Sequence, residues 1–165
     1  MKYLIHTLVV VVALSLDSLK AVELPRGIPD AVDGNMLVAT IADRHELKDN
    51  YPKLNRSELE EIDGYSVVQK KSISDFVLIV EAVKIIKELA VEGGPLGMCF
   101  SPRHYLSYMS EYGEVRLEVC FECSRVRIDM GGWGKTLSVN KSGARKLNEF
   151  YEKIGVVVPK MYQKN

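Results

Sequence analysis

The sequence predicts an α+β domain, in which an antiparallel sheet packs against two main helices. Three observations predict it. Residues 98–109 and 115–130 carry the alternation of hairpin strands, residues 75–91 carry the clearest helical period in the chain, and residues 142–154 carry a second one. Short strands joined by tight turns, with both helices stacked on one face, make a single α+β layer pair.

The first residues read as a leader. Lys2 precedes an almost unbroken apolar run from Leu8 to Leu16, the charged and apolar regions of a secretory signal peptide. The run falls short of the ~20 apolar residues that span a bilayer. Cleavage is expected after Ala21, with an uncleaved anchor as the alternative because Leu19 and Asp17 are unusual near such a cut. Export to the periplasm or beyond the cell follows. The rest of the chain is expected to be soluble and not membrane-spanning.

Residues 22–56 are expected to be an extended, irregular N-terminal segment ahead of one α+β domain over 57–165. "VELPRGIPDAVD" has two Pro and one Gly in twelve residues, a loop composition. Asn35–Ala42, "NMLVATIA", is a short apolar run that reads as a strand, and the charged stretch 43–53 reads as a loop. Ser57 with Glu60 three residues later forms a capping box ahead of a two-turn helix that Gly64 stops. Tyr65–Ile73 is rich in strand formers. Ser74 then caps the helix over 75–91, whose positions Phe76, Ile79, Val83, Ile86 and Ala90 keep the helical period, and Gly93, Gly94 and Pro95 end it. In the second helix Leu147, Phe150, Tyr151 and Ile154 share one side. The "VVVP" run that follows is expected as an edge strand.

Within 115–130 the apolar set is Val115, Leu117, Val119 and Phe121, and past Cys123 it becomes Val126, Ile128 and Met130. One inserted residue near Ser124, a β-bulge, would restore a single buried face along one strand. A turn at "EYGE" places Tyr108 opposite Leu117, Leu106 opposite Val119 and His104 opposite Phe121. In a straight ladder Cys99 lies roughly 20 Å from Cys120, beyond the ~7 Å limit of a disulfide. Pro102 cannot donate to a ladder, so the alternative is a looped-out "SPRH" that folds Cys99 back toward Cys123.

The chain has 22 basic and 22 acidic residues, and losing the leader leaves it within one charge of neutral. That balance gives no electrostatic footprint for nucleic acid. Three cysteines in an exported chain is an odd number, and an oxidising compartment tends to pair them. Four uses are open. Cys99, His104, Cys120 and Cys123 have the ligand types of a zinc site; Cys99 and Cys123 can form a disulfide; Cys120 can serve as a redox thiol, although such thiols favour helix N-termini and this one lies in a strand; or the thiols are inert.

"GGWGKT", Gly131–Thr136, ends like a phosphate-binding loop, but Asp129 stands where that motif needs its first Gly. The segment therefore reads as a turn with Trp133 at its tip, a candidate contact residue. "HELKD" at His45 lacks the second His of a zinc protease and reads as a solvated turn. Arg103 beside His104 is a candidate anion or partner contact, against a hydrogen-bonded structural His. Glu60 and Glu61 look like a solvated helix face.

"CFSPRH" followed by "VCFEC", and then by "FYEKIGVVVP", resembles a pattern in a group of exported bacterial proteins of no known activity. The resemblance covers about Cys99 to Pro159, and Tyr105 stands where those proteins often have Gly. It implies no activity and directs attention to Cys99, Arg103, His104, Cys120 and Cys123. The functional expectation is an exported, non-enzymatic binding or interaction protein of the cell envelope, of inhibitor or immunity type, that meets an envelope protein and needs no cofactor. Zinc binding is the alternative, and thiol redox chemistry the third. No catalytic residues and no oligomeric state are assigned.

Overall fold

The computed structural model describes residues 27–94 and 97–158. The leader and its cleavage point lie outside the described residues. The first half of the described chain holds β1 (Met36–Ala42), α1 (Arg44–Asn50), a 3-10 turn (Arg56–Glu58), β2 (Glu61–Ile62), β3 (Tyr65–Ile73), α2 (Phe76–Leu89) and β4 (Ala90–Val91). The second holds β5 (His104–Ser110), β6 (Gly113–Cys120), β7 (Arg125–Met130), β8 (Trp133–Val139) and α3 (Lys141–Lys153). Eight strands form one antiparallel sheet in the order β2-β3-β1-β5-β6-β7-β8-β4. The expected α+β architecture is present, and among the described residues no helix is long and apolar enough to cross a membrane.

Alternation decides which side chains meet the helices. Val38, Leu106, Leu117 and Val126 form one buried face with Ile79, Ile86 and Leu89 of α2 and Leu147 and Phe150 of α3. A second, smaller cluster on the opposite face joins Ala39, Ile41, Val67 and Tyr105. β1 is thus apolar on both sides, which is why it reads as a continuous run rather than an alternating one. Segment 22–56, expected to be irregular, supplies this inner strand between β3 and β5.

Asp75, one residue after the expected Ser74, caps α2 by accepting from Val77 N–H (2.9 Å). Asn140 caps α3 through Ser142 N–H (2.9 Å). The helices approach closely because Gly143 has no side chain: a Cβ there would stand 2.5 Å from Leu89 Cα. The helix expected after Ser57 shrinks to the single 3-10 turn, capped by Asn55 rather than by the box. Val156–Val158 adds no strand.

The bulged strand over 115–130 is corrected. β6 stops at Cys120, residues 121–124 turn, and β7 runs back with Cys120 opposite Arg125 and Val119 opposite Val126. The apolar phase flips because the chain reverses direction, with Ser124 in the left-handed region at φ 51°. β5 and β6 pair two residues away from the expected register, Tyr108 meeting Val115 and His104 meeting Val119. A shift of two keeps every side chain on its face. Ser110 sets the register by donating its hydroxyl to Gly113 O (2.9 Å) and accepting from Tyr112 N–H (3.2 Å).

Candidate functional site

The loop before β5 takes the looped-out course. Gly97 N–H donates to Cys123 O (2.8 Å), and a Cβ on Gly97 would stand 3.0 Å from Cys123 Cα. The backbone therefore lies directly on the 121–124 turn. The Cys99 and Cys123 thiols interact with each other, as do those of Cys123 and Cys120; Cys123 N–H also donates to the Cys120 sulfur (3.3 Å). All three thiols are free, Cys99 exposed and the other two buried. Bonding to Cys123 pushes the Cys99 thiol up, and burial pushes Cys123 up. A redox nucleophile needs the opposite shift.

His104 is not part of this chain of sulfurs. Its Nε2 lies 2.9 Å from Asn148 Oδ1 on α3, so that nitrogen carries the proton and donates. Phe121 and Tyr151 flank the ring with centroids at 4.7 Å. Burial lowers its pKa to about 3, leaving a neutral imidazole at ordinary pH. The expected set of Cys99, His104, Cys120 and Cys123 is not assembled as a zinc site, and among the described residues no group of three His, Cys, Asp or Glu is placed to hold a metal.

Arg103, expected at a contact surface, is buried. Its guanidinium pairs with Glu46 of α1 and, at 3.0 Å, with Glu122 of the 121–124 turn. Trp133 is half-buried and packs against the core rather than standing free at its tip. Gly131 and Gly132, at φ 58° and 92°, form the hairpin turn between β7 and β8. On the sheet face away from the helices, Arg116 pairs with Asp129 and Asp63, and Arg127 with Glu118.

The segment read as a solvated turn instead builds a site. Asp43 caps α1 by accepting from His45 and Glu46 N–H (both 2.9 Å) and takes the Ser101 hydroxyl on its other oxygen (2.6 Å). With Glu46 and Leu47 buried against the sheet, Arg44 and Lys48 are left exposed, and residues four apart share one side of a helix. Tyr51 closes the helix, and Leu54 N–H donates to Tyr51 O (3.0 Å), folding Tyr51–Leu54 around Pro52. Arg44, His45, Lys48 and Arg56 line an open cleft of about 610 Å³ on one side of this turn.

A second cleft of about 530 Å³ shares this turn and is lined beyond it by Asn50, Lys53, Val68, Gln69, Val157 and Val158. Residues 155–157 are stitched in place there: Gln69 accepts from Val157 N–H (2.8 Å) and donates to Gly155 O (3.0 Å), and Thr40 donates to Val157 O. Tyr51, Pro52 and Leu54 line both clefts. The Tyr51 hydroxyl oxygen is buried with no hydrogen-bond partner among the described residues. The available sequence signal was Asp43 followed three residues later by Glu46, a cap pattern that marks a helix.

No family model matches the chain, and no curated protein or solved structure matches it.

Proposed function

We propose that the protein is an exported, non-enzymatic binding protein that holds a small ligand in the paired clefts around Tyr51. The observation that carries this reading is the contrast between the two clefts and the groups that would do chemistry. His104 is neutral and sealed, Arg103 is spent on two carboxylates, and Cys99 and Cys123 are held as protonated thiols. The clefts, by contrast, are open and partly apolar, with a buried polar oxygen at their common wall, which is the make-up of a small-molecule site. The leader-like run from Leu8 to Leu16 supports export.

The test is amide chemical-shift mapping of the chain without its leader against a panel of short peptides, sugars, nucleotides and amphiphiles. Saturable shifts confined to residues 44–56, 68–69 and 155–158 are expected with at least one class. A panel that leaves those amides unmoved would remove the reading.

A further inference from the structure

We infer that the paired clefts take a single-chain anionic amphiphile, a carboxylate or phosphate carrying an unbranched hydrocarbon tail. This rests on the binding reading above and names the ligand class. The two clefts share the wall made by Tyr51, Pro52 and Leu54 but differ in chemistry. One presents Arg44, Lys48 and Arg56. Among the described residues neither Arg44 nor Lys48 makes an ion pair, and Arg56 reaches only the exposed Glu61 at 3.5 Å. Free, exposed guanidinium and ammonium groups converging on one cleft favour an anionic headgroup, with the Arg forks suited to paired oxygens.

The other cleft is lined by Val68, Val157 and Val158 with Asn50, Lys53 and Gln69, and the Gln69 amide is occupied by the backbone of Gly155 and Val157. Hydrocarbon entering it leaves water at a gain of about 25 cal/mol per Å². Leu54, 39% exposed on the shared wall, is an apolar step between the two. One cleft richer in cations and a neighbour richer in hydrocarbon match an amphiphile's own pattern. The valines line a cleft of about 530 Å³, a volume suited to one hydrocarbon chain, so the ligand is taken as a monomer from solution.

The experiment titrates the chain lacking its leader with dodecanoate below its micelle concentration. Parallel titrations use dodecyl maltoside, acetate and inorganic phosphate, and a flotation assay uses anionic phospholipid vesicles. Dodecanoate is expected to bind one to one and to shift amides in both clefts. The neutral glycoside and the Arg44→Gln, Lys48→Gln double variant should each bind about tenfold more weakly, a loss of about 1.4 kcal/mol. Both substituted side chains are exposed, and unchanged far-ultraviolet circular dichroism would show that the variant is folded.

Equal binding of the neutral glycoside would overturn the anionic assignment and leave the binding reading standing, whereas flotation with vesicles in the absence of monomer binding would overturn the assignment of a small ligand. Shifts with acetate or phosphate as large as with dodecanoate would remove the tail. Silence of every probe at the clefts here and in the wider panel would remove both readings.

Discussion

Arg103 and Glu46 form an ion pair whose side chains are only 6% and 4% exposed. Arg103 leads into β5, and Glu46 belongs to the seven-residue α1. A helix of two turns is not stable alone in water, so its orientation comes from its anchors. The buried pair and the Asp43–Ser101 hydrogen bond are two of them, and they fix where Arg44 and Lys48 stand.

Glu46→Gln removes a charged partner from the buried Arg103 guanidinium, and the loss of one member of a buried pair costs about 3–5 kcal/mol. Urea unfolding should show a loss of that order, with weaker dodecanoate binding in the folded remainder. Glu46→Met combined with Arg103→Met should recover most of the stability. A single-variant cost below ~1 kcal/mol would mean the pair behaves as an exposed one.

His104 gives the protein an acid-side weakness. Its folded pKa of about 3 lies below the ordinary 6.5, so between those values the unfolded chain binds a proton that the folded chain refuses. Stability is then full above pH 6.5 and falls as pH drops toward 3, by up to ~1.4 kcal/mol per unit. Unfolding free energies from pH 7 to 4 should show this slope, and His104→Gln should be flatter by one proton. Parallel pH profiles for the two proteins would contradict the burial argument.

Oxidation should link Cys99 to Cys123 first. Exposed Cys99, as thiolate, attacks a low-molecular-weight disulfide and releases one thiol; Cys123 then attacks the Cys99 sulfur and releases the second. Both thiols are pushed up, so the reaction should be slow near neutral pH and quicken as pH rises. Gly97→Ala, which forces the loop off Cys123, should slow it further. Peptide mapping that finds Cys120 joined to Cys123 as the main product would contradict the geometry.

Gly143→Ala should destabilise the protein although alanine favours helices. The new Cβ meets backbone atoms of Leu89 at 2.5 and 2.8 Å, which cannot rotate away, and overpacking of this kind costs about 1–3 kcal/mol. A raised melting temperature would show that α2 and α3 are looser than described.

The two long helices and the sheet were legible because their signals are periodic and local: Ile79, Val83 and Ile86 on one helix, Leu147 and Phe150 on the other. The turn at residues 121–124 was not, because an even-numbered reversal and a one-residue bulge flip the apolar phase in the same way. Sequence alternation alone does not separate them. Cys99 and Cys123 were legible as neighbours only through Pro102, whose missing N–H argues for a loop. The clefts were hidden for a different reason. They arise where α1, the Tyr51–Leu54 turn, β3 and Val157–Val158 meet, and no pattern along the chain records a meeting of segments roughly a hundred residues apart.

The binding account is tested most directly by where each end of a ligand lies. A long-chain fatty acid with a nitroxide at its tail should broaden the amides of Val68, Val157 and Val158, and the same acid labelled beside its carboxylate should broaden those of Arg44, Lys48 and Arg56. Broadening that ignores the label position, or that centres elsewhere on the surface, would contradict an amphiphile held across the Tyr51 wall.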